Sequence, residues 1–395
     1  MFLKRSDKNN SLEQHPKPNK TKCNHPNAKA DKYERVPLWS KILLIMFAVS
    51  AVLYITMCIS KEFSNFFNTS VAFVFRFIFA KITNIIPLSV AEIFIVSLPV
   101  TLILLIRYFA KKRCKTPKQT VVSLVCILSI ASVFLSSFVL TFAAGYRGNT
   151  LDENLDIKRE KLSANDLYIT AEYLVERIDS LHTKIQFADD GFSVMPYSLD
   201  VMNKKLLDAY ASFSHKHTFI SNFNSRLKPV IFSEVMSYAH ITGVYTFFTG
   251  ESNLNVDFPD YTIPYTAAHE LAHQRGIARE DEANMIAFLV SLESDDDYIK
   301  YCAYVNMFEY IISALSKADR TLSRQIWKKL PKKVYQEQLA YDRFFEKYQK
   351  SVTSQVSGAV NDAYLKGQGT EGEKSYGMVV DLTVAYLKKQ QLIPQ

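Results

Sequence analysis

The 395-residue sequence predicts a mainly α protein, with three N-terminal transmembrane helices followed by an α-rich domain that carries a small β element. Three observations predict this class. Apolar runs long enough to cross a bilayer occupy about 41–60, 87–106 and 120–144, and none follows. Beyond residue 145, apolar positions recur at helical spacing. One aromatic and β-branched run, GVYTFF at 243–248, is short and bounded by Gly and polar residues, which suits a strand or hairpin.

Three parts follow: a polar tail at 1–40, a membrane region at 41–145 and a larger domain at 146–395. Pro99 does not end the second run, because membrane helices tolerate proline. A cleavable signal peptide would place its apolar core near the start, whereas a forty-residue polar tail precedes the first run here, so that run reads as a retained anchor. The formal charge of +8 is unevenly spread: residues 1–145 hold 19 Lys/Arg against 6 Asp/Glu, and residues 146–395 hold 28 against 33. The basicity is that of a membrane protein, and a nucleic-acid partner is not expected.

Nine Lys/Arg precede Lys41 and six lie in the loop RYFAKKRCKTPK, but only three lie in 61–86. The positive-inside rule therefore puts the tail and that loop in the cytoplasm and residues 146–395 outside it. The segment 66–86 is apolar but interrupted by polar residues and Arg76, so it reads as interfacial or re-entrant. A fourth crossing there would put the six-charge loop outside. Cys58 and Cys126 fall in the spans, Cys23 and Cys114 in the cytoplasm, and only Cys302 in the outer domain. Neither a disulfide framework nor a Cys-ligated metal is expected there.

In the outer domain, Leu151 to Lys161 reads as a charged stem. Helices are expected over 163–185, 198–213, 281–293, 297–317, 335–366 and 375–390, and a strand or hairpin within 242–259.

Residues 264–284, PYTAAHELAHQRGIAREDEAN, hold the chemistry. His269 and His273 are four apart and share a helix face, so both can reach one ion. Glu270, one step round, falls beside a metal-bound water, where a carboxylate can take the water's proton. A catalytic Zn²⁺ needs three protein ligands. In a straight helix Glu280 would lie about 10.5 Å beyond His273, too far to share the ion. Gly276 is placed to end the first helix in the left-handed conformation and turn the chain back. In the returning helix, starting near Ala278, Glu280 and Asn284 share a face with the small residues Ala283, Ala287 and Ser291, which permits close approach. Glu280 is therefore the favoured third ligand, with Glu282 as the alternative and Asp281 a poor third. Asn284 would orient a ligand histidine from outside the metal shell.

HExxH followed by Glu280-Asp281-Glu282-Ala283-Asn284 resembles the gluzincin metallopeptidases, though their spacer between histidine and glutamate is usually longer. The metzincin pattern would need a histidine at Arg279 and is excluded. HELAHQRGIAREDEAN with the preceding GVYTFFTGESNLN resembles a bacterial membrane-protein family, DUF3810, whose function is unknown. The gluzincin resemblance implies a zincin-like domain and a membrane-anchored zinc metallopeptidase in the bacterial cell membrane. Its active site would lie outside the cytoplasm and act on a peptide or protein of the cell envelope. The alternative is a zinc-bound but non-catalytic sensor or scaffold.

Lesser candidates are weaker. GVYTFF is either an edge strand that pairs with an extended substrate or a plain core hairpin. GQGTEGEKSYG (367–377) holds a literal GxGxxG but follows a helix, not a strand, which excludes a dinucleotide site. Tyr376 in that loop reads as a buried structural tyrosine, with an oxyanion donor carried to the metal as the alternative. His182, His215, His217 and His240 have no ligand partners at suitable spacing, and the lysines around Pro331 read as a solvated turn.

Overall fold

The computed structural model describes residues 34–112, 116–349 and 351–394, apart from the side chains of Lys112, Glu373 and Tyr376. Most of the polar tail, Cys23, Cys114 and the Tyr376 side chain therefore lie outside the described residues.

Among the described residues, four helices come first: α1 (Leu38–Ile59), α2 (Lys61–Asn84), α3 (Val90–Lys112) and α4 (Pro117–Thr141). All four are long and apolar enough to cross a membrane, one more than the sequence reading counted. The difference is α2. Its polar residues do not break the helix, because Ser64, Arg76 and Thr83 turn inward against protein while Val74, Ile78 and Ile82 face out. A π turn at Phe67–Val71 re-aims Asn68 toward the same side.

Contacts fix the helix directions. Glu34 pairs with Lys118 at 3.1 Å and Ser40 bonds Ser129 at 2.9 Å, while Met57 packs with Val139 and Ala143. Helices α1 and α4 are thus parallel. Phe94 meets Phe134 near the start of α3, and Phe109 meets Val122 near its end, so α3 runs antiparallel to them. Both ends of α2 touch the C-terminal region or its entry: Ser64 donates to the Ala144 carbonyl (2.8 Å), and Asn84 accepts from the Arg226 amide (2.9 Å). Helix α2 therefore lies across one end of the bundle.

The rest of the chain is α5 (Leu151–Leu155), α6 (Ala164–His182), α7 (Leu199–Lys216), β1 (Lys228–Pro229), α8 (Ser233–Tyr238), β2 (Gly243–Thr246), β3 (Glu251–Leu254), α9 (Ile263–Gln274) and α10 (Glu280–Glu293). It ends with α11 (Asp297–Ala318), α12 (Arg320–Lys329), α13 (Lys332–Glu346), α14 (Val352–Gly367) and α15 (Val379–Lys389). Capping is explicit: Ser163, Ser198, Asp296 and Asp319 each accept from backbone amides at the start of the helix they precede. The core is built from α6, α7, α9, α10, α11 and α15, with Leu174, Tyr210, Phe288, Tyr301 and Phe308 fully buried. Each such side chain contributes about 1.5–3 kcal/mol by leaving water.

The expected single helix over 335–366 is two. Between them Tyr348 turns inward, giving its hydroxyl to Asp257 (2.7 Å) and its carbonyl to His240 (2.8 Å). The GVYTFF segment is a hairpin: β2 runs antiparallel to β3 from Gly243↔Leu254 to Thr246↔Glu251, and β1 pairs parallel to the other side of β3. With the order β1-β3-β2, β2 is an edge. The GQGTEGEKSYG stretch is a turn and a 3-10 segment after α14, with no flanking strand.

Candidate metal centre

Pro264 stands in the first turn of α9, where its missing amide hydrogen is no loss. Over the next two turns His269 and His273 come onto one face. The helix ends in a Schellman motif: the Gly276 amide donates to the His273 carbonyl (2.9 Å) and the Ile277 amide to the Ala272 carbonyl (3.1 Å). Gly276 has φ +95°, and a Cβ there would fall 2.6 Å from both the Arg76 guanidinium and the Asn68 side chain. Only glycine fits that backbone and that space. After Arg279, α10 returns alongside α9 and begins at Glu280, two residues later than the sequence reading placed it. Ala283, Ala287 and Ser291 are fully buried in this hairpin.

The turn brings His269, His273 and Glu280 together, their ligand atoms all within 4.8 Å of one another. Glu280 Oε2 lies 3.2 Å from His269 Nε2 and 3.3 Å from His273 Nε2. The His273 Nδ1 hydrogen goes to the Ile277 carbonyl at 2.7 Å, which leaves Nε2 to face Glu280. Burial acts to raise the Glu280 carboxyl, but the charge of His273 and hydrogen bonds from both imidazoles outweigh it and hold it well below the carboxylate range. Burial acts to lower His273, yet the Glu280 charge wins and raises it to about 9.

Glu270 is 4% exposed and lies beside this group. The Tyr245 backbone amide of β2 donates to its carboxylate, and its Oε2 has no partner. Gly243 makes room for it: a Cβ there would lie 2.7 Å from Glu270 Oε1. Burial raises the Glu270 carboxyl, partly opposed by His269. The edge of the hairpin therefore borders the Glu270 carboxylate.

The remaining acidic residues are engaged elsewhere. Glu282 accepts from the Leu151 amide (3.0 Å) and pairs with Arg279 (3.3 Å), and Asp281 pairs with Arg159 (2.8 Å). Asn284 lies beside the Tyr310 hydroxyl, and its Nδ2 has no acceptor. The orienting contact on His273 comes instead from the Ile277 carbonyl, a backbone group that leaves no side-chain signature in the sequence. His269 Nδ1 is buried without a partner. Two phenols not singled out by the sequence feel the Glu280 charge: burial, then Glu309 and Glu280, raises Tyr310, and burial with a smaller effect of Glu280 raises Tyr364 to about 12. His240 and His182 bond backbone carbonyls and His217 lies against Phe213, so none joins the centre.

Two buried cations brace the turn from outside. Arg76 of α2 donates to Asn68 Oδ1 (2.9 Å), the Thr141 carbonyl (2.8 Å) and the Asn68 carbonyl (2.7 Å), and Asn68 Nδ2 donates to the Gly276 carbonyl (3.0 Å). Arg275 stacks on Tyr210 (4.1 Å) and donates to the Phe223 carbonyl (2.9 Å). The centre also abuts the bundle, because Phe142, next after α4, packs edge-on against His273 at 5.7 Å.

Apolar helices at the N-terminus joined to a helical region with a His-His-Glu cluster define a membrane-associated protein with a candidate metal centre. Residues 41–384 match the family model described as protein of unknown function (DUF3810), and the chain belongs to that family. No curated protein and no solved structure matches it.

Proposed function

We propose that the protein is a membrane-anchored zinc-dependent hydrolase of metallopeptidase type. The observation that carries this reading is the convergence of His269, His273 and Glu280 beside the unpaired Glu270 carboxylate. The donor set fits the ion. Ligands about 2.0–2.1 Å from a tetrahedral Zn²⁺ lie about 3.3 Å apart, and the Nε2–Oε2 separations are 3.2 and 3.3 Å. His269, His273 and Glu280 would hold Zn²⁺, which when bound polarises a carbonyl and acidifies water. Glu270 takes the proton of the attacking water and passes it to the departing amine. Gly243 and Tyr245 fix that carboxylate. The spacing and the short turn differ from gluzincins, but the division of roles is the same.

We read α1, α3 and α4 as three crossings, with α2 lying across the bundle end that carries the C-terminal region. The distribution of Lys and Arg then puts that region outside the cytoplasm, and its substrate is a peptide or protein of the cell envelope. The test is elemental analysis of the purified full-length protein together with Glu270→Gln. One zinc per chain is expected in both, with peptide hydrolysis lowered about 10²–10⁴-fold in the variant. A metal-free, folded protein overturns the proposal. Undiminished function in the zinc-loaded variant would assign a structural or sensory zinc.

A further inference from the structure

The most exposed apolar side chains of the C-terminal region fall in two patches, each tied to the bundle. On α14, Val352, Val356, Val360 and Tyr364 recur every four residues and are 73, 60, 65 and 37% exposed. Across 351–361 there is no charged residue, unlike an ordinary water-facing helix. The stripe ends on a span: the Tyr364 ring packs on Phe138 of α4 at 6.1 Å. A second patch, Ile231, Phe232 and Val235, is 67, 54 and 60% exposed, and the Ile231 and Phe232 amides bond Glu92 in the first turn of α3. Between them the tip of the β2–β3 hairpin inserts Phe248 against Phe94 and Phe134, at 5.5 and 5.4 Å. Each patch thus continues the apolar surface of the bundle.

That continuity names the occupant, because the outward surface of a membrane-crossing bundle faces lipid. From this, and resting on the hydrolase reading above, we propose that α14 and the Ile231–Val235 patch are seated in the bilayer surface, and that the centre cleaves polypeptides held there by a membrane anchor. The path is short. Tyr364 bonds Tyr146 through their hydroxyls (3.3 Å), Tyr146 packs on Phe142 (5.7 Å), and Phe142 packs on His273. A chain emerging from the bilayer beside α4 meets the His-His-Glu cluster within a few residues of its anchor.

The test uses the full chain in phosphatidylethanolamine–phosphatidylglycerol vesicles, with native cysteines replaced and single nitroxides at positions 356, 360 and 232. Labels at Leu104 on α3 and Lys328 on α12 serve as lipid-facing and water-facing references. At 356, 360 and 232, collisions with oxygen should exceed those with a soluble nickel chelate, as at Leu104. Nickel access equal to that at Lys328 overturns the proposal, and so does low access to both reagents, which would mean that protein, such as a second copy, covers the stripe. In parallel, Val356→Asp with Val360→Asp should slow cleavage of a bilayer-anchored reporter about tenfold while bound zinc is retained and a soluble peptide of the same sequence is cleaved as before. An equal loss on both substrates overturns the assigned substrate class. Failure of the hydrolase reading is distinct: the unaltered protein would cleave neither reporter, and the nitroxide measurement would still decide where α14 sits.

Discussion

Two clusters of buried polar groups flank the α9–α10 turn, and their charged groups face different partners. On the bundle side, Arg76 and Lys228 direct their charged ends at backbone carbonyls: Arg76 at those of Asn68 and Thr141, Lys228 at those of Thr83 and Ile86. Asn68 closes the set on the Gly276 carbonyl. On the α9–α10 side, the ionisable groups face one another, and Glu270 Oε2 and His269 Nδ1 are buried with no partner. A buried polar atom without a partner costs about 1–3 kcal/mol, and both sides carry that cost, since Arg76 Nε is also buried without one. The bundle-side cations end chiefly on neutral carbonyls, with Glu251 3.9 Å from Lys228, whereas the α9–α10 side gathers two imidazoles and a carboxylate at one point.

The largest effect is expected from the two carboxylates of α10 that face different partners, Glu280 and Glu282. Glu280→Gln should weaken zinc binding by more than about 100-fold, beyond the loss typical of an outer partner. Glu282→Gln should leave zinc bound, because that carboxylate caps Leu151 and pairs with Arg279. Titration of the apoproteins against a competing chelator checks both. Equal losses would show that the two carboxylates share the ion.

On the bundle side, Arg76→Met keeps the length of the stem but removes every donor. Asn68 Oδ1 and the Thr141 carbonyl are then left buried and unpaired, and the expected loss is about 2–3 kcal/mol. Thermal unfolding in detergent measures it. Zinc content at low temperature should be retained, since Arg76 touches the turn and not the ligands. A variant that unfolds like the unaltered protein would show that the seam contributes nothing.

Helical periodicity made much of the α9–α10 side legible in the sequence. The shared face of His269 and His273, the turn at Gly276 and the small face of α10 all follow from residues within 25 positions of one another. The bundle side was not legible. Arg76, Asn68 and Lys228 look like ordinary polar interruptions, and their partners lie far along the chain, Lys228 meeting Thr83 and Asn68 meeting Gly276. For the same reason 66–86 reads in sequence as fragments, whereas it belongs to one helix long and apolar enough to cross a membrane. The break at Tyr348 depends on Asp257 and His240, equally remote in sequence. Helix α12 was missed because its dense charge masks a narrow apolar face on which Ile326 is buried.

Glu309 on α11 offers an intermediate case, a buried carboxylate with a partner but away from the centre. It accepts from Tyr261 at 3.1 Å, and burial raises its pKa to about 7. The folded state then binds the proton more tightly than the unfolded chain, whose glutamates titrate near 4.3. This contribution is fully present below the unfolded value and is lost as pH rises toward and through about 7. Between pH 5 and 7.5 the loss is on the order of 2 kcal/mol. Melting temperatures of the unaltered protein should therefore fall between pH 5 and 7.5 more steeply than those of Glu309→Gln. Parallel pH profiles would show that Glu309 is solvated and belongs to neither kind of cluster.

The smallest expected effect concerns Asn284. Its spacing from Glu280 suggested a side chain that steadies a ligand histidine, a role whose loss typically lowers metal affinity 10–100-fold. His273 Nδ1 is instead committed to the Ile277 carbonyl, and Asn284 stands beside Tyr310. Asn284→Ala should therefore change zinc affinity by no more than about threefold, below the range for an orienting partner. A drop of 10-fold or more would mean that the asparagine reaches His269, whose Nδ1 lacks a partner, once the ion is bound. Chelator competition on this variant thus decides whether the unpaired atoms of the centre wait only for metal and substrate, or also for a neighbouring side chain.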